Sequence, residues 1–231
     1  MIRCENLTRE FFGDGVFDIS LQVKEGEALG LLGPAGAGKS LLLRILSGQL
    51  AAQEGSAAIF GLDCWAKRHV IFKKAVYAPA APALEPGLTG DEYLKFYAQY
   101  HGLFNPQKAR DLSEQMDVSL TGLCQKMTIE QRKKLSLLAA LSMDAEVFLL
   151  DEPMNGLSVM AKNALMDALV AIRGRGGAIL MTSHVLEEVR RTCSHVAIIR
   201  QGRLVVTQPL ESLSHTRQKV YHITFTSPQE A

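Results

Sequence analysis

This sequence of 231 residues is poor in cysteine and has almost no excess of charge of either sign. The thiols Cys4, Cys64, Cys124 and Cys193 lie far apart, and no pair has the CxxC spacing of a zinc site or a redox motif. Reduced thiols in a cytosolic protein are the simplest interpretation. The net charge of +1 gives no reason to expect a nucleic acid partner. The short basic run Arg132–Lys134 is interpreted as a solvated helix face.

Long hydrophobic runs are also missing. No apolar stretch approaches the ~20 residues that a membrane-spanning helix needs. Residues 1–5 lack the apolar stretch of a signal peptide. Any role at a membrane therefore requires a partner. Hydrophobic residues nevertheless make up 47% of the chain, which is ample for a packed core in one domain.

Short apolar runs alternate with segments of helical pattern, which predicts an α/β fold. The run at 28–32 resembles a buried strand, the run at 147–150 a buried parallel strand, and the run at 178–182 another strand. A largely helical stretch separates the first run from the second and covers roughly residues 80–145. Two pairs with capping-box spacing, Thr89 with Glu92 and Thr128 with Gln131, predict helix starts within it.

A glycine-rich loop lies between the apolar strand 28–32 and an apolar helix. It matches the pattern G-x-x-x-x-G-K-[ST] in full, with the residues Gly33, Pro34, Ala35, Gly36, Ala37, Gly38, Lys39 and Ser40. Glycines let phosphate oxygens approach the backbone, and the helix N-terminus supplies positive potential. Lys39 can reach the β- and γ-phosphates and Ser40 can ligate Mg²⁺. The sequence therefore predicts a nucleotide site at 33–40 that extends to Leu41.

Two further segments supply candidate catalytic groups. Asp151 and Glu152 follow the apolar run 147–150, and ligands of open α/β sheets bind at the carboxyl ends of strands. Asp151 is predicted to hold Mg²⁺ through water, and Glu152 to orient or deprotonate the attacking water. His184 follows the run 178–182 and could hydrogen-bond a γ-phosphate. By itself it could equally be a histidine at a helix start.

Over almost its whole length the chain resembles the nucleotide-binding domain of ATP-binding cassette (ABC) transporters. GPAGAGKS at 33–40, FLLDEP at 148–153 and TSH at 182–184 are similar in order and separation to the family's Walker A, Walker B and switch histidine. The resemblance implies one ATPase domain over 1–231. Its fold would be a P-loop NTPase core with a mixed sheet, an N-terminal antiparallel β subdomain and a helical insertion at about 80–145. The stretch 89–103 is similar to subunits of ABC-2 exporters.

The resemblance also implies a mechanism and partners. Mg-ATP would be held by the P-loop, with Glu152 as the water-activating base and with His184 and Lys39 assisting catalysis. An aromatic residue would stack on adenine, and Phe12 matches best, with Phe11 close behind; such a pair could equally belong to the core. The chain would act as a peripheral subunit on the cytoplasmic face of the cell membrane, bound to membrane-spanning transporter subunits. Two ATP-binding subunits would enclose two ATP molecules.

The sequence departs from the family at three coupling elements. The signature LSGGQ should precede a helix before residue 147, and that position holds Met127, Thr128, Ile129, Glu130 and Gln131. A similar run, Leu46–Gln49, is on the P-loop helix and cannot serve. Ala80 stands where the family has glutamine, and Ser158 where it usually has aspartate. A Glu130 carboxylate facing a phosphate would repel it by a few kcal/mol at ~5 Å.

These departures favour a heterodimer over a homodimer. The chain's own ATP would need a signature from the partner, while Met127–Gln131 would serve the partner's ATP poorly. One alternative is a regulatory or structural subunit that binds ATP and barely hydrolyses it. Another is a soluble ABC ATPase without a transporter, although the usual coiled coils and basic extensions are not present. A strand-like stretch at 220–225 is also predicted.

Overall fold

The computed structural model describes residues 1–101 and 104–213. The strands are β1 (Ile2–Phe11), β2 (Asp14–Val23), β3 (Ala28–Leu32), β4 (Glu54–Ile59), β5 (Leu62–Asp63), β6 (Ala75–Ala78), β7 (Val147–Leu150), β8 (Ala178–Ser183), β9 (His195–Arg200) and β10 (Arg203–Pro209). The helices are α1 (Lys39–Leu46), α2 (Arg68–Ile71), α3 (Gly90–Ala98), α4 (Pro106–Gln115), α5 (Ile129–Leu141), α6 (Val159–Gly174), α7 (Leu186–Thr192) and α8 (Leu210–Leu213). The predicted strand at 220–225 lies outside the described residues.

Six strands form the central sheet, in the order β10-β9-β3-β8-β7-β6. The pairs from β9 to β6 are parallel, and the terminal pair β9–β10 is antiparallel. Strands β7 and β8 are buried at every residue, because helices and the second sheet cover both of their faces. The apolar run Val147–Leu150 therefore reflects two buried faces, as the sequence predicted for β7.

A second sheet is antiparallel and has the order β2-β1-β4-β5. Strands β1 and β2 form a hairpin whose two-residue turn is Phe12–Gly13, with φ of 50° and 90°. Two successive positive φ angles are the geometry of a type I′ turn, which matches the twist of the paired strands. The turn leaves the Phe12 side chain fully exposed.

Helices α3, α4 and α5 lie between β6 and β7 and pack on one another. Both predicted capping boxes are present, Thr89 with Glu92 at the start of α3 and Thr128 with Gln131 at the start of α5. Each hydroxyl accepts a backbone N–H that the first helical turn would otherwise leave unpaired. The α/β class, the mixed sheet and the N-terminal antiparallel sheet are therefore as predicted.

The interpretation of Arg132–Lys134 as a solvated helix face is wrong. The side chains of Lys133 and Lys134 are only 5% and 6% exposed. Helix α5 is enclosed by its neighbours, so buried residues occupy nearly its whole circumference. Long lysine side chains can be buried along their stems when the ammonium group finds oxygen partners at the end.

The helices and the cysteines bear on the expected membrane and redox chemistry of the chain. None of the helices over 1–101 and 104–213 is both long and apolar enough to cross a membrane. All four cysteines are free and buried. Burial raises the pKa of Cys64 to about 12 and that of Cys193 to about 11. Both side chains therefore remain neutral thiols at physiological pH and act as small apolar core residues.

Candidate functional site

The predicted motifs follow three neighbouring strands of the central sheet and lie at one edge of it. The loop 33–40 follows β3, His184 follows β8, and Asp151 and Glu152 follow β7. The sheet order places β8 between β3 and β7, and all three are parallel. Their carboxyl ends therefore meet, and segments that are more than a hundred residues apart in the sequence lie side by side.

The loop after β3 depends on glycine at two positions. Gly38 has φ of +97°, and an added Cβ there would lie 2.8 Å from Val16 Cγ1 and 3.0 Å from Gly15 O. A Cβ on Gly33 would lie 2.4 Å from Ile199 O. A side chain at either position would clash with neighbouring backbone atoms, and at Gly38 it would also strain the left-handed backbone. The loop can thus hold its backbone N–H groups at the start of α1, where an anion is favoured.

The Lys39 side chain is buried on the inner side of this loop, with 6% exposure. Its Nζ donates to Gly33 O at 2.7 Å and to Pro34 O at 3.0 Å. It also forms an ion pair with Glu152 Oε1 at 3.1 Å. The ammonium group is therefore fixed by two carbonyls and one carboxylate at the centre of the site.

The Glu152 carboxylate connects the three motifs. One oxygen contacts Lys39, and the other lies 2.8 Å from His184 Nδ1. The side chain of Glu152 is 15% exposed, whereas that of His184 is 51% exposed. A carboxylate held between a buried cation and a half-exposed imidazole is at the boundary between protein and solvent. It is well placed to accept a proton from a water molecule.

The backbone of Glu152 is strained. Its φ of +45° is in the left-handed region, which costs a residue other than glycine on the order of 1–3 kcal/mol. Its N–H donates to Thr182 Oγ1 at 2.7 Å, and the Thr182 hydroxyl in turn donates to Asp151 Oδ1 at 2.7 Å. Asp151 is 3% exposed and its own N–H donates to Ala78 O. One threonine hydroxyl therefore fixes both acidic residues.

The donor chemistry of the site suits Mg²⁺. Ser40 contributes a hydroxyl at the start of α1, and Asp151 contributes a carboxylate at the end of β7. Hard oxygen donors are the preferred ligands of Mg²⁺, which usually takes one or two protein groups together with substrate phosphates. Over residues 1–101 and 104–213, no cluster of three or more acidic, histidine or cysteine side chains forms a metal site without such help.

A cleft of about 810 Å³ opens over the loop 33–40. Residues 34–40 of the loop line it, as do Leu41, Glu152 and His184. Its volume is within the range of small-molecule sites. Phe11 also lines the cleft, with its ring under the Arg9 guanidinium at 4.6 Å. Phe12 is not among the lining residues, because the type I′ turn directs it into solvent.

The segment Met127–Gln131 starts helix α5 and lies away from this cleft. Ile129 is 87% exposed. Glu130 is not left facing outwards: its Oε1 accepts the Ser158 N–H at 2.9 Å and lies 3.1 Å from Lys134 Nζ. The Ser158 N–H, and then Lys134, hold the pKa of Glu130 below its usual value, so the carboxylate is charged at neutral pH. Its charge is therefore partly compensated within its own chain.

Ala80 and Ser158 occupy the other two altered positions. Ala80 lies two residues beyond the end of β6 and is half-buried. Ser158 is the N-cap residue of α6, although its side chain accepts no capping hydrogen bond. Neither residue lines the cleft. Ala80 follows β6, whose last residue Ala78 accepts the Asp151 N–H, and Ser158 ends the segment that leads from Glu152 to α6.

Thr182 is a site residue that the sequence did not indicate. Only the position of Thr182 in the TSH motif could have drawn attention to it, because nothing local shows that its hydroxyl reaches across to β7. That contact depends on the parallel pairing of β7 with β8, which is a tertiary feature.

Comparisons with known proteins agree with this geometry. The sequence profile of a family described as "ABC transporter" matches residues 16–155. An uncharacterised ABC transporter ATP-binding protein of Nostoc is 33% identical over 214 residues, which is 88% of this chain and 62% of that protein. The SkfA peptide export ATP-binding protein SkfE of Bacillus subtilis is 32% identical over 211 residues, which is 89% of this chain and 87% of that protein.

A Nod factor export ATP-binding protein of Rhizobium etli is 29% identical over 193 residues, covering 81% of this chain and 61% of that protein. The chain thus spans less than two thirds of the length of two of these relatives.

Among solved structures, an ATP-binding subunit of an ABC transporter superposes with a TM-score of 0.85 at 23% identity, covering 92% of this chain and 91% of that one. A dimeric ATP-binding cassette, MJ0796, bound to ADP and Pi, has a TM-score of 0.78 at 19% identity over 91% and 99% of the two chains.

Proposed function

The chain belongs to the ABC transporter family of ATP-binding proteins, and we propose that it is the ATP-hydrolysing subunit of a membrane exporter. The observation that carries this proposal is the position of Glu152, whose carboxylate lies between Lys39 of the P-loop and His184, which follows β8. The proposal treats residues 1–231 as one ATPase domain, with roughly 80–145 as its helical subdomain.

ATP would bind over the loop 33–40. The backbone N–H groups of the loop and the start of α1 would cradle the phosphates, and Lys39 would contact the β- and γ-phosphates. A γ-phosphate would compete with the Glu152 carboxylate for Lys39. Mg²⁺ would be held by Ser40 and, through water, by Asp151, and would supply charge neutralisation for the phosphate oxygens. The adenine would stack on an aromatic ring, for which Phe11 has the better position and Phe12 remains the other candidate.

Hydrolysis would use Glu152 as the base. A water oxygen bonds to the γ-phosphorus while the bond from that phosphorus to the β,γ-bridging oxygen breaks, and ADP leaves. The water proton passes to the Glu152 carboxylate. Lys39 would stabilise charge on the transferred phosphoryl group, and His184 would hydrogen-bond a γ-phosphate oxygen. The short His184–Glu152 contact supports a shared role at the attacking water.

A complete site would need a second ATP-binding subunit. Members of this family enclose ATP between two subunits, and each contributes its signature to the other's site. We infer a heterodimer, because Ile129 and Glu130 replace two glycines and deny a phosphate close approach to the backbone. The exposure of Ile129 and the attachment of Glu130 to Ser158 support this inference.

Export is the direction that the relatives favour. Two of the relatives are named as export ATP-binding proteins, for the SkfA peptide and for Nod factor. We therefore propose that this chain binds membrane-spanning subunits of an ABC-2 exporter at the cytoplasmic face of the cell membrane. The transported substrate would be determined by those membrane subunits.

A regulatory subunit that binds ATP and scarcely hydrolyses it is the second candidate. Ala80 favours it, because a methyl group can neither ligate Mg²⁺ nor position water. The two candidates differ in the expected behaviour of the complex with its partners. Gentle membrane extraction of the tagged chain should recover membrane-spanning subunits and a second ATP-binding subunit, and the purified complex should hydrolyse ATP. A complex that binds ATP without turnover would support the regulatory candidate instead.

A further inference from the structure

We propose that Lys133 is a positioning residue that holds Glu152 in its reactive orientation; this rests on the proposed hydrolytic function of the Glu152 site. Lys133 is in the second turn of α5, in the run whose sequence indicated a solvated face. Its side chain is instead 5% exposed, and its Nζ donates to the Glu152 carbonyl at 2.5 Å. The ammonium group therefore contacts the backbone of the proposed base, and Lys133 is not among the residues that line the cleft.

The Glu152 peptide groups are held on both sides. The N–H side is fixed by Thr182 Oγ1, and the carbonyl accepts from both Lys133 Nζ and the Asn155 N–H. A hydrogen bond from a charged donor is stronger than one from a neutral amide. Because φ at Glu152 is +45°, the residue would relax towards a commoner conformation if one of these contacts were lost. Lys133 supplies the charged contact.

The placement of a buried cation at this point needs an explanation beyond packing. The buried ammonium group is poorly solvated, which lowers the pKa of Lys133, and the nearby Glu152 and Asp151 carboxylates offset part of this effect. An apolar side chain of similar length would avoid that desolvation. The geometry shows what the cation provides: a charged donor to the carbonyl of a strained acidic residue.

Helix α5 contacts the 151–158 segment at a second point, independent of Lys133. Glu130, one turn earlier, accepts the Ser158 N–H at 2.9 Å. The two contacts fix both ends of the segment from Glu152 to Ser158 to a single helix. The orientation of Glu152 therefore depends on the position of α5 as well as on the central sheet.

The test is the substitution Lys133→Met, which keeps the length of the stem and removes the donor. In the purified transporter complex we expect kcat to fall about 10–100-fold while the KM for ATP changes less than about twofold, because misplacement of a catalytic group by ~1 Å has effects of this size. Lys133→Arg, which retains a charged donor, should recover much of kcat. If Lys133 had only a structural role, the loss would not be confined to kcat and Lys133→Arg would not selectively restore it.

A second measurement does not depend on hydrolysis. Hydrogen exchange of the nucleotide-free chain should be faster in Lys133→Met at the amides of Glu152 and Asn155, whereas exchange in α1 stays as in the wild type. Lys108→Met is the matched control. Lys108 is on α4, also in the helical segment, and its Nζ is also buried, but the residue is far along the chain from Glu152. It should leave turnover unchanged and should not make the exchange of residues 151–158 faster.

The outcomes separate this inference from the proposed function. Wild-type kcat and wild-type exchange in Lys133→Met would overturn the inference, even if the complex is an active ATPase. If the wild-type complex does not hydrolyse ATP, the proposed function fails, and faster exchange at Glu152 and Asn155 alone would still support the positioning role. If Lys133→Met does not fold, Lys133→Leu, which also lacks a donor, provides the same comparison, and wild-type exchange and kcat in that variant would contradict the inference.

Discussion

The ion pair between Lys39 Nζ and Glu152 Oε1, at 3.1 Å, joins the P-loop directly to the proposed base. Both side chains are largely buried, so the pair is weakly screened by solvent. Any anion that binds Lys39 has to replace or share this carboxylate. Nucleotide binding and the orientation of Glu152 are therefore physically coupled, and the first two predictions follow from that coupling.

Replacement of Glu152 by glutamine should separate binding from hydrolysis. Glu152→Gln removes the base and the negative charge that competes with the γ-phosphate for Lys39. We expect turnover of the complex to fall by about 10²–10⁴-fold, the usual contribution of a general base, and ATP to be retained more tightly. Filter retention of labelled ATP together with phosphate release measures both effects. If retention and turnover stay at wild-type levels, Glu152 is not the base.

Replacement of Lys39 by alanine should abolish nucleotide binding. The substitution removes the cation that the phosphates require and leaves the Glu152 carboxylate without its buried counter-ion. A fluorescence titration with an ATP analogue should therefore show no saturation. Lys24→Ala, at an exposed turn between β2 and β3, serves as the control and should bind like the wild type. Unchanged ATP affinity in Lys39→Ala would refute the assignment.

Removal of the Thr182 hydroxyl should affect both stability and activity. Thr182→Val keeps the shape of the side chain and leaves buried Asp151 and the Glu152 N–H without this partner. We expect the free energy of unfolding to fall by about 1–3 kcal/mol and turnover to fall with it. Thr182→Ser restores the hydroxyl and should recover most of both. Chemical denaturation of the two variants in parallel is the measurement, and equal losses in both would contradict the bridging role.

Replacement of Lys108 by methionine should stabilise the protein at pH 7. The Lys108 Nζ is buried and has no hydrogen-bond partner among the described residues. Burial, with some help from Arg175, lowers its pKa to about 8 from the ordinary 10.5. We expect a gain of about 1–2 kcal/mol in the free energy of unfolding of Lys108→Met at pH 7, measured by urea denaturation.

The gain from Lys108→Met should depend on pH in a defined direction. Below pH 8 the lysine is charged in both the folded and the unfolded chain, so the full desolvation penalty applies. Between pH 8 and pH 10.5 only the unfolded chain holds the proton, and the wild type regains stability as the pH rises. The difference between variant and wild type should therefore shrink over this range. A difference that is constant with pH would show that Lys108 is not desolvated.

The isolated chain should hydrolyse ATP weakly. Its Walker elements are in place, but two copies of Met127–Gln131 would offer no glycine backbone to either phosphate. Turnover of the purified chain should be low and without cooperativity, and should rise when the second ATP-binding subunit is added. Ile129→Gly combined with Glu130→Gly is expected to raise the turnover of the chain alone. Robust cooperative turnover of the unmodified chain would refute the heterodimer proposal.

The sequence by itself determined the features that depend on local chemistry. The pattern at 33–40 depends on neighbouring residues alone, so a glycine-rich loop between a strand and a helix could be predicted there from the sequence. The strands β3, β7 and β8 could be predicted for a similar reason, since continuous apolar runs of this length favour burial on both faces. The capping boxes at Thr89 and Thr128 are contacts over three residues and were also predictable.

The tertiary structure alone decided which of these local features meet. The turn geometry at Phe12 separates Phe11, which lines the cleft, from its neighbour, and no pattern in the sequence distinguishes the two. Lys133 looked solvated because a basic run carries no sign of what packs over it. Its contact with Glu152 joins residues 19 positions apart. Such contacts depend on how α5 packs beside the sheet, and packing is a property of the whole chain.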